Sequence, residues 1–279
     1  MALPRRLRSS LRDPGAVIGL TIVTIAILMA LLGPLLPLDD PTELDLENRL
    51  LPLSAEHPLG TDHMGRDELS RLVYGARATL GLASLSLIII MGIALIVGAA
   101  SGYYGGWLDA GLMAVVDLLL AFPSLVLAIA VAGILGPSIV NVLIAMSVVW
   151  WAGYARVIRG MVLSARQRDY VEAARAIGAS DVRIVVFHIA RNILGPFVVL
   201  ASLDMGLIIL GIAGLSFLGL GAQPPTPEWG AMLNESRAYM QTDPKLLLIP
   251  GIAIFALVLG FNLLGDGIRD LLDPTTQRR

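Results

Sequence analysis

The feature that most constrains this chain is a series of uncharged, strongly apolar runs. Residues 14–38 form one run, residues 79–100 form a second, and residues 118–155 form a third that is 38 residues long. A membrane-crossing helix needs about 20 apolar residues, so the first two runs predict one span each and the third predicts two. The composition, 56% hydrophobic and 15% charged, agrees with an integral membrane protein.

Six spans are predicted in all. Gly133, Gly136 and Pro137 predict the break inside the third run. The first run is longer than the roughly 7–15 apolar residues of a signal peptide and lacks a small-residue cleavage site, so we expect an uncleaved span. No segment alternates as a membrane barrel strand would, which predicts an all-α polytopic membrane protein. The spans are expected at about 14–38, 79–100, 111–132, 138–155, 193–220 and 246–265.

The distribution of arginine predicts the orientation. If both termini are cytoplasmic, fourteen of the twenty basic residues fall on the cytoplasmic side, as the positive-inside rule requires. On the other side, most of the acidic residues lie between Asp39 and Glu68. They form either a solvated surface or a docking site for an extracytoplasmic partner. The cytoplasmic basic residues are Arg5, Arg6, Arg8, Arg12, Arg156, Arg159, Arg166, Arg168, Arg175, Arg183, Arg191, Arg269, Arg278 and Arg279.

These patterns divide the chain into successive parts. Residues 1–38 are a leader and first span, and residues 39–78 are an outer interfacial segment. Residues 79–273 are the transmembrane core, in which residues 156–192 form a long cytoplasmic loop, and residues 274–279 are a tail.

The cytoplasmic loop contains the polar segment RDYVEAARAIGAS, from Arg168 to Ser180. Spacings of i, i+3, i+4 and i+7 predict a short amphipathic helix with one apolar stripe, and Glu172 and Arg175 lie on another face. Gly178 stands where a helix needs a left-handed C-terminal residue. The stripe consists of Tyr170, Ala173, Ala174 and Ile177.

A second helix is predicted directly after this turn. Ser180 is its expected N-cap, and its expected apolar positions are Val182, Val185, Val186 and Ile189. A helix, a tight turn and a helix also occur in DNA-binding proteins, but two helices tethered to membrane spans would reach DNA only awkwardly, so no nucleic-acid partner is expected. The remaining alternative is a solvated helix pair that has no partner.

This segment resembles the EAA loop of the permeases of ATP-binding-cassette importers, whose pattern is EAA, three residues and glycine. Here the pattern is Glu172, Ala173, Ala174 and Gly178. The resemblance implies that the first helix is a coupling helix seated in a groove of a cytoplasmic ATPase subunit. The residues it assigns to coupling are Tyr170, Glu172, Ala173, Ala174, Arg175, Gly178 and Ala179.

Three further segments narrow the resemblance. Residues 57–80, 214–233 and 261–274 are similar to the second permease of the dipeptide, oligopeptide and nickel importers. The implied fold is a type I importer transmembrane domain in a bacterial inner membrane. The implied partners are a homologous second permease, two ATPase subunits that bind ATP and Mg, and an extracytoplasmic substrate-binding protein. Small peptides are the implied cargo, and nickel or a nickel chelate is the alternative. Glutathione-like compounds are a third option.

Several chemistries are excluded by residue content. The chain has no cysteine, so thiolate metal sites and thiol catalysis are absent. Its single lysine, Lys245, falls on the outer side, so a phosphate-binding loop of the GxxxxGK[ST] type cannot form. We therefore expect no catalytic site and no cofactor in this chain. ATP is expected to be hydrolysed by partner subunits. The competing class is a secondary carrier or channel that works without an ATPase.

Four polar residues inside spans are candidates for the transport pathway, because an ionisable or amide side chain in hydrocarbon is costly unless it is paired or wet. Asp204 is the deepest and the strongest candidate, followed by Asp117, Asn141 and Asn262. Each could instead bond to a neighbouring span. His57 and His63 are six residues apart without a shared helix face, so we expect solvated loop histidines and no metal site.

Overall fold

The computed structural model describes residues 13–272, and helices make up most of that range. The leader arginines at 5, 6, 8 and 12 and the predicted tail 274–279 lie outside the described residues. Within residues 13–272, extended pairing is limited to one antiparallel bridge between Thr61 and Asp67. The longer helices are α1 Pro14–Leu32, α2 Glu68–Tyr104, α3 Gly106–Leu120, α4 Ser124–Leu135, α5 Ile139–Val149, α6 Trp151–Arg166, α7 Asp169–Ala176, α8 Ala190–Phe217, α9 Trp229–Ser236 and α10 Lys245–Leu272.

Five helical stretches in the described range are long and apolar enough to cross a membrane. They are residues 14–35, 68–104, 139–166, 181–217 and 245–272. The remaining predicted span, the third at 111–132, corresponds to α3 and α4 together, which meet at an angle of 86°. The structure therefore agrees with six spans when this bent pair is counted as one.

The predicted third span, 111–132, is wrong as a single helix. It breaks at Pro123, which has no N–H to donate and disfavours helical backbone at Phe122 before it. The predicted break at Gly133, Gly136 and Pro137 is confirmed, because α4 ends at Leu135 and Gly136 adopts a φ of +87°.

At α2 and at α5–α6 the helices extend well past the spans expected from apolar runs. Helix α2 begins at Glu68, and its 37 residues measure about 55 Å, far more than the roughly 30 Å of hydrocarbon. Helices α5 and α6 form one stretch to Arg166, so the first eleven residues of the predicted cytoplasmic loop are helical. Charged residues can lie on these extensions because the excess length projects beyond the membrane.

Small residues set how closely the spans pack. A Cβ on Gly98 would lie 2.7 Å from the carbonyl oxygen of Ala155, and one on Gly102 would lie 2.8 Å from that of Arg159. Helices α2 and α6 therefore touch backbone to backbone, as expected for small-residue interfaces in membranes. Helix α1 packs on α10 in the same manner, since a Cβ on Gly19 would lie 2.7 Å from the backbone nitrogen of Leu264.

The outer segment is held to the transmembrane helices by buried charges. Arg66 donates to Asp62 at 2.5 Å and also pairs with Glu235 of α9. Arg71 donates to the same Glu235 oxygen at 3.1 Å. Asp67 caps α2 by accepting from the backbone N–H of Ser70 at 2.7 Å. The segment is thus a folded layer on the ends of α2 and α9.

Candidate coupling surface

The predicted helix, turn and helix are confirmed in the loop between α6 and α8. Helix α7 covers Asp169–Ala176, and Gly178 follows with a φ of +80°. The N–H of Ala179 donates to the carbonyl of Ala174 at 3.0 Å, and that of Gly178 donates to Arg175 at 2.9 Å. This pair of bonds is the Schellman motif, which explains the glycine at this position.

The buried face of α7 differs from the predicted stripe. Val171 and Ala174 point inward and join the core cluster that includes Ile158 and Val162 of α6. Tyr170, Ala173 and Ile177 face outward, and Ile177 is 85% exposed. Three of the four stripe residues therefore lie on one exposed face of α7, whereas Ala174 is buried, because the helices beneath α7 decide which of its residues are covered.

The segment after the turn also departs from prediction. Ser180 precedes a helical turn, Asp181–Arg183, but its side chain makes no capping hydrogen bond. Residues Ile184–Ile189 form a π-helical turn, whose wider i→i+5 spacing rotates the following side chains. Ile184 and Ile189 are consequently buried. Val182 and Val186, expected to pack inward, are exposed.

Together these residues form an open apolar surface beside a basic groove. We call it the coupling surface and define it as Tyr170, Ile177, Val182, Val186 and Phe187, all exposed. Most of it borders a groove of 1430 Å³ that is also lined by Arg183, His188 and Arg191. The Tyr170 hydroxyl accepts a hydrogen bond from Asn192 at 2.9 Å, which fixes its ring at the groove edge.

The remaining predicted coupling residues surround this surface. Glu172 and Arg175 are exposed and line a smaller polar pocket of 380 Å³ with Arg166. Ala173 is exposed on the outer side of α7, and Ala179 packs against the same core cluster as Val171. The seven residues thus lie together on one loop. Ala174 and Ala179 pack against the core, and the other five surround them.

The four predicted pathway residues lie on four different helices. Asp117 of α3 pairs with Arg156 of α6, and both are exposed. Asn141 donates to the carbonyls of Leu135 and Gly136 at 2.9 Å each, so it closes the C-terminal end of α4. Asn262 is exposed and lies beside Gly206. Asn141 therefore has a structural role at the break between two spans.

Asp204 has the environment that most favours a binding role. It is half-buried in α8, and its Oδ2 is buried with no hydrogen-bond partner among the described residues. Tyr154 of α6 lies beside the carboxylate. An unpaired carboxylate oxygen inside a span is costly unless a further group can reach it.

The two outer histidines lie in separate carboxylate clusters, so the expectation of solvated loop histidines was wrong. His57 Nδ1 lies 3.1 Å from Asp67, and His63 stacks on Tyr239 with ring centroids 4.9 Å apart. Burial lowers the pKa of His63. Ligand atoms of His63, Asp62 and Glu235 lie within 4.8 Å of one another, and so do those of His57, Asp67 and Asp39. The arginines and the helix cap already engage the buried carboxylates of both clusters.

Lys245, the single lysine, is also engaged. Its Nζ donates to the carbonyl of Leu51 at 2.5 Å and pairs with Asp243 at 3.1 Å. It therefore ties the start of α10 to the outer segment.

Sequence reasoning missed two residues that border the loop. Tyr103 lies in the SGYYGG segment, which reads as a turn, yet it is buried in the same cluster as Val171. Asp181 begins the helical turn after Gly178 and accepts a hydrogen bond from Tyr103. A tyrosine at the end of a span, beside an arginine-rich loop, was the available signal.

Comparisons with known proteins agree with this architecture. Residues 90–278 match the family described as binding-protein-dependent transport system inner membrane component. Residues 5–52 match the N-terminal transmembrane domain of oligopeptide transport permease C.

Relatives cover nearly the whole chain. The dipeptide transport system permease protein of Alkalihalophilus pseudofirmus is 47% identical, over 93% of this chain and 85% of its own length. The nickel transport system permease protein of Escherichia coli is 43% identical, over 92% and 93%. The glutathione transport system permease protein of Pectobacterium atrosepticum is 44% identical, over 86% and 80%. The chain therefore belongs to the binding-protein-dependent transport system inner membrane components, and it is a multi-pass permease subunit of an ABC importer.

Proposed function

We propose that this chain forms half of the translocation pathway of an ATP-driven importer of small peptides in the cytoplasmic membrane of a bacterium. It pairs with a homologous second permease, and two ATPase subunits bind ATP and Mg on the cytoplasmic side. A substrate-binding protein delivers cargo from outside. The permease role itself follows from the family.

The observation that supports ATPase coupling is the exposed coupling surface. Five apolar side chains are presented to solvent at the loop that the arginine distribution places in the cytoplasm, beyond the hydrocarbon. Clustered exposed apolar residues rimmed by polar ones are typical of protein interfaces. Small residues such as Ala173 on the same face permit close approach of a groove. Closure of the ATPases would then displace α7 and, through it, the spans.

This role is tested by placing a charge at the most exposed residue of the surface. Ile177 is 85% exposed, so Ile177→Glu should leave the fold intact and should put a desolvated carboxylate into the ATPase interface. We expect the ATPase subunits to be lost from the complex purified by a tag on this chain, since such a burial costs on the order of a few kcal/mol. Quantitative co-purification measures the loss.

The matched control is Leu53→Glu, which introduces the same charge at a 64% exposed leucine of the outer segment. It should retain the ATPases at the wild-type level. Equal retention in both variants would contradict a coupling role for α7. An ATPase-independent carrier would be indicated if the wild-type chain purified alone and transported without nucleotide.

We further propose that Asp204 lines the pathway and binds the positively charged end of the cargo. Its unpartnered buried oxygen supports this role. Asp204→Asn should reduce uptake of a labelled dipeptide in proteoliposomes by roughly tenfold while the complex still assembles, because a bond to a charged group contributes about 1.5–3 kcal/mol. Unchanged uptake would assign Asp204 to packing against Tyr154.

For the cargo, peptides are the first choice, because three of the relatives are named as permeases for dipeptides or D,D-dipeptides. Nickel or a nickel chelate is the alternative, because a similarly related permease is named for nickel. Calorimetric titration of the associated binding protein with dipeptides, longer peptides and Ni²⁺ separates these possibilities.

A further inference from the structure

A buried tyrosine at the cytoplasmic end of α2 contacts the segment between α6 and α8. Tyr103, in the last turn of α2, is only 3% exposed. Its hydroxyl donates a hydrogen bond of 2.5 Å to the carboxylate of Asp181. Because Asp181 follows the Gly178 turn, this bond ties the far side of the turn to a transmembrane helix.

The ring of Tyr103 is contacted by two further parts of the loop. The guanidinium of Arg175, within α7, lies 5.6 Å from the ring centroid, and that of Arg166, at the end of α6, lies 5.9 Å from it. Both distances fall within cation–π range. One side chain of α2 therefore touches the segments before, within and after α7.

The helix end that carries Tyr103 is itself firmly attached. Gly102 packs against the backbone of Arg159, and Asp109 of α3 accepts from both Ser101 and Arg159. These contacts join the ends of α2, α3 and α6 into one unit. A displacement of α7 that pulled on Tyr103 would move this unit as a whole.

We propose that Tyr103 is a positioning residue that transmits movement of α7 to α2. The inference rests on the proposed ATPase coupling and assigns its first step inside the membrane. Val171 and Ala174 also join α7 to the core, but apolar contacts are non-directional and allow sliding. The Tyr103–Asp181 bond is directional and charge-assisted, so it holds one register of the loop against α2.

The test removes the hydroxyl oxygen of Tyr103 and measures the response of both α7 and α2 to nucleotide. Tyr103→Phe keeps the ring beneath the two arginines and deletes the bond to Asp181. Hydrogen–deuterium exchange of the assembled complex is measured with and without ATP plus vanadate, in peptides from α7 and from residues 94–104 of α2. In wild type, both regions should respond to nucleotide. In Tyr103→Phe, α7 should still respond, and the response of α2 should fall by roughly tenfold.

Two variants sharpen the result. Asp181→Ala removes the same bond from an exposed position and should reproduce the effect, and the double variant should add little to either single change. Tyr104→Phe is the matched control, since Tyr104 is the neighbouring, exposed tyrosine and should keep the wild-type response.

The possible outcomes separate the two proposals. A wild-type response of α2 in Tyr103→Phe, or a variant complex that no longer assembles, would overturn the role of Tyr103 and leave ATPase coupling standing. If α7 of the assembled wild-type complex failed to respond to nucleotide, the proposed coupling and the inference that rests on it would both fail.

Discussion

At the scale of single residues, glycines determine how close two spans come. Gly98 and Gly102 lie one turn apart on α2 and face the backbone of α6. Glycines in a span permit either close packing or flexing, and at these two positions the structure shows close packing. The sequence could not identify the partner helix, because glycine has no side chain whose chemistry would indicate one.

We predict that Gly102→Ala destabilises the protein. The added Cβ would lie 2.8 Å from the carbonyl oxygen of Arg159 and 2.9 Å from the Cβ of Val162, so α2 and α6 must separate. The expected cost is about 1–3 kcal/mol, measured as a lower melting temperature of the purified protein in detergent. Gly92→Ala is the control on the same helix, where a Cβ meets nothing within 4 Å.

Because alanine favours helix over glycine by about 1 kcal/mol, Gly92→Ala should melt at or above the wild-type temperature. Equal melting temperatures for the two variants would show that the α2–α6 contact does not depend on the missing Cβ.

At the scale of elements, charged side chains attach the outer segment to the spans. Opposite charges close together at Arg66, Asp67, Glu68 and Arg71 favour local ion pairs, but both arginines pair with Glu235 of α9 and with Asp62. A separation of 169 residues along the chain cannot be inferred from spacing. Thr61 and Asp62 follow the turn at Gly60, where a helix cap is common, but neither residue caps α2. Thr61 instead donates to the carbonyl of Asn48, and the cap of α2 is Asp67.

We predict that Glu235→Ala loosens this layer. The change would leave two buried guanidinium groups with Asp62 as their one remaining anionic partner among the described ion pairs. Removing one partner of a buried pair costs about 3–5 kcal/mol. The melting temperature should therefore fall, and the rate of tryptic cleavage after Arg49 should rise.

The control for this prediction is Glu47→Ala, which removes an exposed carboxylate from the same segment. Its effect should stay within about 0.5 kcal/mol, as is usual for surface substitutions. Cleavage at the wild-type rate in Glu235→Ala would indicate that apolar packing alone holds the segment.

At the scale of the whole molecule, the arginine distribution predicts the direction in which the chain crosses the membrane. The described helices are compatible with this prediction, because the acidic segment and the arginine-rich loop lie at opposite ends of α2. Tyr103 contacts the loop, whereas Glu68 begins the helix next to Asp67 of the outer segment. Six crossings require α3 and α4 to traverse the membrane as a bent pair.

We predict the sidedness that follows. The chain contains no cysteine, so single cysteines introduced at exposed positions report without background. Ala55→Cys on the outer segment should react with a membrane-impermeant maleimide in right-side-out vesicles, and Gln167→Cys in the loop should react only in inverted vesicles. Reaction of both from the same side would disprove either the six crossings or the orientation.

The sequence by itself determined the class of protein, the position of most spans, the predicted orientation, and the helix, turn and helix around Gly178. Each depends on local quantities, namely the length of an apolar run, the charge of a loop, or the bonds that close one turn. It also located the break around Gly136, whereas only the structure showed that Pro123 divides the third span.

Only the tertiary structure decided which side of α7 is buried and what the loop contacts. Val171 is inward because α6 lies beneath it, and Ile177 is exposed because no described helix covers it. The Glu235 pairs and the bond from Tyr103 to Asp181 join residues far apart in sequence. Such contacts depend on how complete helices pack, and that packing is a property of many residues acting together.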